Sequence, residues 1–187
     1  MNNIFFTSDL HFCHDRGFIY EPRGFSNIAA HDAAIIDNFN HIVDDEDDLY
    51  ILGDLMLNDN VLGIKCLNSL PGRKHIILGN HDTDARAKLY SDIRGFVDMK
   101  WADMVKINGY NFFLCHYPTM TFNMDAEKPL NCMVINLFGH THQKTNFYQD
   151  MPIAYHVGVD SHDMKPVAFD EVISDITMKI DECRRML

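Results

Sequence analysis

Five apolar stretches of this chain each run directly into a residue able to bind a metal ion, and that repetition narrows the folds open to it. Residues 4–9 end in Asp9-Leu10-His11, residues 49–52 lead into Gly53-Asp54, and residues 74–78 lead into Gly79-Asn80-His81-Asp82. Further along, residues 110–115 run into His116, and residues 133–138 into Gly139-His140-Thr141-His142. Short apolar runs of this kind read as strands buried on both faces. Between the first three lie helical patterns. Residues 31–43 carry apolar side chains at 34, 35, 36, 39, 42 and 43, residues 61–70 read as a helix closed by Pro71-Gly72, and residues 84–93 as another.

Strands alternating with helices predict a parallel sheet built from βαβ crossovers. After residue 93 the texture changes. Residues 104–107, Asn108-Gly109 and residues 110–115 give a hairpin signal, because Asn-Gly supplies the positive φ of a tight turn. Residues 133–138 and 153–159 read as further strands, and residues 170–184 as a closing helix with Asp170 and Glu171 favouring its N-terminus. This half predicts an antiparallel or mixed sheet. The expectation is an α/β fold of two sheets packed face to face with helices outside, in a single domain over residues 1–187. The acidic run 44–48 reads as a solvated turn; it lacks the alternating ligands and Gly of a calcium loop.

The bulk properties exclude several classes. No apolar run approaches the roughly 18 residues of a membrane span. The first residues lack a basic segment followed by a long apolar one, so they read as a strand with no signal peptide, and a cytoplasmic location is expected. Five cysteines without regular spacing predict reduced, mostly buried thiols. A formal charge of −11, from 27 acids against 16 bases, argues against wrapping duplex nucleic acid. Bound dications would reverse that sign locally, so a small phosphate ester remains compatible.

In open α/β sheets ligands bind beyond the carboxyl ends of the strands, so the five motifs are expected to converge. In Asp9-x-His11 and His140-x-His142 both members face one cavity if strand geometry persists. Gly53, Gly79 and Gly139 would let the chain turn sharply and let metals or substrate approach closely. Imidazole, carboxylate and amide oxygen suit a borderline metal pair without thiolates.

The series Asp9-x-His11, Gly53-Asp54, Gly79-Asn80-His81-Asp82, His116 and Gly139-His140-x-His142 resembles the calcineurin-like metallophosphoesterase superfamily, in its small single-domain bacterial and phage form. The resemblance implies a four-layer α/β/β/α sandwich and two divalent ions, manganese first, with iron, zinc, nickel or cobalt as alternatives. It implies that Asp9, His11 and His142 hold one ion, that Asn80, His116 and His140 hold the other, and that Asp54 bridges them. His81 would lie beside the metals without ligating them.

Two dications about 3.5–4 Å apart clamp phosphoryl oxygens and make hydroxide available near neutral pH. In-line attack by a metal-bridging hydroxide is therefore expected, with His81 as general acid on the leaving oxygen and Asp82 as a group able to orient it. The expected activity is hydrolysis of a small phosphate ester, a nucleotide among the candidates, with a phosphodiesterase favoured over a phosphomonoesterase. A non-catalytic metal-binding scaffold and a nuclease acting on short nucleic-acid ends are the alternatives. Among further residues, His14, Arg16 and Arg23 are candidates for phosphate contacts, as is Asn80 beside its metal role. Cys13, Cys115 and Trp101 read as packing residues, and His31, His41 and His75 as structural or exposed. His156 and His162 are outer-shell or wall candidates, Tyr117 is a wall or core candidate, and segment 117–130 reads as a loop shaping substrate choice.

Overall fold

The computed structural model describes residues 2–119, 121, 125, 127–144 and 151–186. Strands β1 (Ile4–Thr7), β2 (Asp48–Leu52) and β3 (Arg73–Ile77) are parallel neighbours, as the strand–helix alternation predicts. Helices α2 (Ile28–Ile42) and α3 (Asn60–Ser69) connect them. Each begins at a side-chain cap: Asn27 accepts the Ala30 N–H and Asp59 the Leu62 N–H, both at 2.9 Å. The Asn27 cap starts α2 at Ile28, three residues before the expected segment 31–43. A short helix α1 (Gly17–Tyr20) precedes them, and α4 (Asp84–Tyr90) follows β3.

Strand β4 (Phe96–Lys100) adds in parallel to β3, and β9 (Val167–Ala168) pairs antiparallel with β1, giving a mixed sheet ordered β4-β3-β2-β1-β9. Neither end strand has a clear apolar signature. In β4 the apolar residues alternate with Asp98 and Lys100, and β9 has two residues. The second sheet is β5 (Ala102–Ile107), β6 (Tyr110–Cys115), β7 (Val134–Phe138) and β8 (Ala154–His156) in that order. Strands β5 and β6 are an antiparallel hairpin whose turn residues Asn108 and Gly109 both have positive φ, while β6, β7 and β8 run parallel. Strand β8 stops at His156, short of the expected residue 159, where the chain turns through a 3-10 segment, Val159–Ser161.

The pleat of the first sheet separates two cores. Phe5, Leu49, Ile51 and Ile76 lie against α2, α3 and α4. Phe6, Leu52 and Ile77 point the other way, onto Phe112, Leu114, Ile135 and Leu137 of the second sheet. Phe6 and Phe112 meet with ring centroids 5.6 Å apart. Helix α5 (Phe169–Met186) contributes Val172, Ile176 and Ile180, spaced four apart, to this second core. Two mixed sheets with flanking helices thus realise the expected α/β/β/α sandwich.

Two sequence expectations need correction. Trp101 is 61% exposed, because it sits at the β4–β5 junction where the chain passes between sheets. The run 44–48 is not wholly solvated: Asp47 is buried and accepts the N–H groups of Asn3 and Asp44. Among the described residues no helix is long and apolar enough to cross a membrane.

Lys74 is fully buried beneath the first sheet, and its ammonium donates to the carbonyls of Leu70, Gly72 and Arg94 at 2.8, 3.2 and 2.9 Å. It closes the turns that lead into β3 and into β4. Lys74→Met leaves three carbonyls without their donor, at about 1–3 kcal/mol for each unsatisfied group. The urea midpoint is expected to fall by an amount equivalent to at least about 2 kcal/mol with an unchanged m-value.

Candidate metal centre

The loops after β1, β2, β3, β6 and β7 converge at one end of the two sheets. Backbone hydrogen bonds join them: Asp9 N–H to Gly53 O at 3.0 Å, His11 N–H to Asp54 O at 2.9 Å, Gly139 N–H to His116 O at 3.0 Å and Val159 N–H to Ser8 O at 3.1 Å. Strand geometry does not persist through the Asp-x-His and His-x-His motifs, since β1 ends at Thr7 and β7 at Phe138. Asp9, His11, Asp54, His140 and His142 instead have φ of 59°, 49°, 57°, 70° and 49°. Left-handed backbone costs an L-residue about 1–2 kcal/mol. Its concentration at five proposed ligands shows surroundings that over-determine these positions.

Part of that determination is Asp82, which is buried. Its carboxylate accepts the N–H groups of Asp54, Leu55 and Gly79 and the hydroxyl of Tyr90. It is therefore fully occupied in holding the β2 and β3 loops together, and does not serve as the orienting group expected for His81. The two loops touch closely. Gly53 has φ of +90°, a Cβ on it would lie 2.7 Å from the Gly79 Cα, and a Cβ on Gly79 would lie 2.6 Å from the Asp54 nitrogen. The close approach here is of loop to loop.

The proposed ligands form two groups. In the first, His11 Nε2 lies 3.0 Å from His142 Nε2, and Asp9 Oδ1 lies 3.6 Å from His142 Nε2 and 4.0 Å from His11 Nε2. In the second, Asn80 Oδ1 is 2.9 Å from both His116 Nε2 and His140 Nδ1, which are 3.2 Å apart. Asp54 Oδ2 stands between the groups, 3.6 Å from His11 Nε2 and 3.5 Å from His116 Nε2. One donor atom from each of Asp9, His11, Asp54 and His142 falls within 4.8 Å of the others. All seven residues named from the sequence are thus brought together.

The donor chemistry fits a cation. His116 Nδ1–H donates to Leu52 O at 2.8 Å, which leaves its Nε2 with a lone pair facing Asn80 Oδ1 and Asp54 Oδ2, both acceptors. His142 Nδ1 lies 3.1 Å from Asp160 Oδ2 and 3.2 Å from the Arg23 guanidinium, and its Nε2 faces inward. Burial lowers its pKa, but the hydrogen bond to Asp160 and the charges of Asp9 and Asp160 prevail and raise it. Burial, then the neighbouring His142 and Arg23, hold His11 well below its ordinary pKa and unprotonated. Burial also pushes the Asp54 carboxyl up. Donor atoms crowded this closely, with Asp54 and His142 both shifted towards their protonated forms, would be relieved by divalent ions taking the place of those protons.

A cavity of about 440 Å³ opens onto this cluster, lined by His11, His14, Asp54, Asn80, His81, His140, His142 and Asp160, with Phe18, Ile19 and Pro22 on one side. The calcineurin-like phosphoesterase superfamily domain matches residues 3–162, which include every one of these residues. The chain belongs to that superfamily. It is 29% identical to an uncharacterised protein of Methanocaldococcus jannaschii, over 92% of this chain and 90% of that one. It is 30% identical to the Gene 66 protein of Mycobacterium phage D29, over 94% and 98%. A solved protein of unknown function from Aquifex aeolicus shares the fold, with a TM-score of 0.68 at 24% identity, covering 93% of this chain and 99% of that one. Family membership and the Asp/His cluster together support a metal-dependent phosphoester hydrolase in general terms.

Other residues of this calcineurin-like domain fall differently from the sequence expectations. His14 lines the cavity, with its Nδ1 3.2 Å from His11 Nδ1. Arg16 is exposed and is not among the lining residues. Arg23 is buried and cannot serve phosphate: its guanidinium clasps Asp160 through two bonds of 2.8 and 2.7 Å and also donates to His31 and to Asp9 O. His31 is structural, set between Arg23 and Asp32. Cys13 and Cys115 are buried thiols. His156 is buried against Phe138, and His162 donates from Nε2 to His156 O at 2.9 Å. Tyr117 lies against His116 and His140. Of segment 117–130, residues 120, 122–124 and 126 lie outside the described residues.

Asp160 is the site residue that the motif reading missed. It obeys the same rule as the others, an acid just beyond the apolar run 153–159. Burial raises its carboxyl pKa, but hydrogen bonds from His142 and Arg23 prevail and hold it well below the usual carboxylate range. Asp160→Asn is expected to weaken divalent-ion binding about 10–100-fold, read by chelator competition, because His142 loses its anionic partner. A depressed carboxyl stabilises the fold above its unfolded pKa of about 3.9. The stability gap between wild type and this variant should therefore shrink as pH falls from about 5 towards 2.

Proposed function

We propose that this protein is a binuclear metal-dependent phosphodiesterase acting as a single catalytic domain, with phosphomonoesters as secondary substrates. The observation that carries the reading is the placement of Asp54 Oδ2 between two groups of inward-facing nitrogen and oxygen atoms. Asp9, His11 and His142 would hold one ion, and Asn80, His116 and His140 the other, with Asp54 shared. A set of imidazoles, carboxylates and one amide oxygen suits manganese, and equally iron, zinc, nickel or cobalt. When bound, two such ions neutralise phosphoryl oxygens and lower the pKa of water so that a nucleophile exists near neutral pH.

The chain's own groups supply the rest. His81 is 41% side-chain exposed, lines the cavity, and has its Nε2 4.0 Å from Asp54 Oδ2. Its backbone is fixed on both sides, the N–H donating to Asp54 Oδ1 and the carbonyl accepting from Arg86, while its ring faces open space. A proton held at His81 Nε2 is positioned for the leaving oxygen, an effect typically worth about 10²–10⁴-fold. Burial, then the charge of His81, pushes His14 down to a pKa of about 4, so its imidazole is neutral at physiological pH. In that form it can donate one N–H to a non-bridging phosphoryl oxygen. Asn80 faces the same cavity and, as a neutral ligand, leaves the site more positive than a third carboxylate would.

The test is reconstitution of metal-stripped protein with manganese, nickel, zinc or iron, followed by turnover of bis-p-nitrophenyl phosphate and p-nitrophenyl phosphate. His81→Ala is expected to keep its metal content by elemental analysis and to lose about 10²-fold or more in kcat on an ester with a poor leaving group. Asp54→Ala is expected to lose both ions and nearly all turnover. Full activity of the His81 variant on such an ester removes the general-acid assignment, and a folded wild type that binds no divalent ion removes the whole reading.

A further inference from the structure

The cavity is polar on one side and apolar on the other. Phe18 on α1 is 70% exposed and belongs to neither hydrophobic core, whereas Ile19, next to it, is buried. The Phe18 ring meets the His14 ring edge-on, with centroids 5.6 Å apart. His14 in turn lies against His11 and His81, with centroids at 5.2 and 5.9 Å. A free aromatic face therefore begins one imidazole away from the metal-facing groups, inside the same cavity, with Ile19 and Pro22 continuing the apolar wall. An exposed phenylalanine alone is ordinary. This one stands edge-to-face against His14 on the apolar side of the cavity, opposite the polar side that carries the proposed proton donor.

We infer that Phe18 determines specificity, by stacking a planar aromatic substituent of the phosphate ester, of the size of a nucleobase or aryl ring. The inference rests on the phosphoesterase reading above and adds the substrate class. The phosphoryl group occupies the polar side, against His14, Asn80 and His81. The ester's ring extends past His14 onto the Phe18 face. The wall offers this ring a flat apolar contact and no hydrogen-bond partner from Phe18, Ile19 or Pro22, so recognition is of the ring's face and size. Stacking of this kind is worth about 5- to 100-fold in affinity per ring.

The probes are phenylphosphonate and methylphosphonate, which share a phosphoryl head and cannot be hydrolysed as esters, titrated calorimetrically into manganese-loaded protein. Wild type should prefer the phenyl compound by about tenfold or more. In Phe18→Ala that preference should fall to near unity, and Phe18→Trp should restore it. Phe18→Leu keeps apolar bulk without a planar face and should behave like the alanine variant. Circular dichroism checks that each variant is folded, as an exposed position allows. Equal binding of the two probes by wild type, or full preference retained in Phe18→Leu, overturns the inference even if bis-p-nitrophenyl phosphate is turned over, and then leaves the phosphoesterase reading standing. Absence of both phosphonate binding and any ester turnover overturns the two together.

Discussion

The carboxylate of Asp82 is the fixed point of the site. Four donors reach it, from Asp54, Leu55, Gly79 and Tyr90, and through them it locks the loop after β2 to the loop after β3. Asp54 cannot shift without breaking its own N–H bond to Asp82, and its side chain is held in turn by the His81 N–H. A carboxylate buried without donors would be far too costly. Here the peptide groups that a sharp turn leaves unpaired supply those donors, so burial of the acid and the turning of two loops solve each other's problem.

The same exchange recurs at the other loops. Asp9 accepts the His140 N–H, at 3.1 and 2.9 Å from its two oxygens, and lies 2.7 Å from the Ser8 hydroxyl, which ties the end of β1 to the end of β7. Asp160 fixes His142 and is itself clasped by Arg23, which extends to His31 and Asp32 on α2. Five left-handed residues beside one another would relax if their loops were free. They persist because backbone carbonyls of neighbouring loops hold the N–H groups of Asp9 and His11, and side-chain carboxylates hold those of Asp54 and His140. The ring nitrogens that point inward are those whose opposite nitrogen already has a partner, as in His116 with Leu52 O and His142 with Asp160. The rigid ends of parallel strands thus fix a set of side chains before any ligand arrives.

The strands that carry the site were legible because they are buried on both faces and read as unbroken apolar runs, and each ends where its first polar residue must find a partner. Residues 4–9, 49–52, 74–78, 110–115 and 133–138 all mark real strands, within two residues at their ends. Strand β4 was not legible, because an edge strand that is half exposed mixes Asp98 and Lys100 with its apolar residues. Trp101 misled because size and hydrophobicity carry no information about a junction between sheets. The burial of Arg23 was hidden for a different reason. A guanidinium in a loop near a phosphate site reads as a ligand, and only the placement of Asp160, 137 residues away, shows that its charge is already spent. Local patterns report which segments are buried and where they stop. They do not report which distant charge answers a given one.

Electrostatics then links the acidic composition to an anionic substrate. Around the proposed centre the Asp160 charge is answered by Arg23, and the Asp82 charge is spread over backbone and tyrosine donors. That leaves Asp9 and Asp54 as the carboxylates facing the proposed metal positions, beside imidazoles and the neutral amide of Asn80. Two divalent ions bound against two carboxylates would give a formal surplus of two positive charges at the mouth of the cavity. A chain with an overall charge of −11 can thus present a local positive field to a phosphate, and the rest of its negative surface disfavours long polyanions that would extend beyond the cavity. With such ions bound, discrimination between small and extended phosphate esters would follow from the distance over which the field keeps its sign.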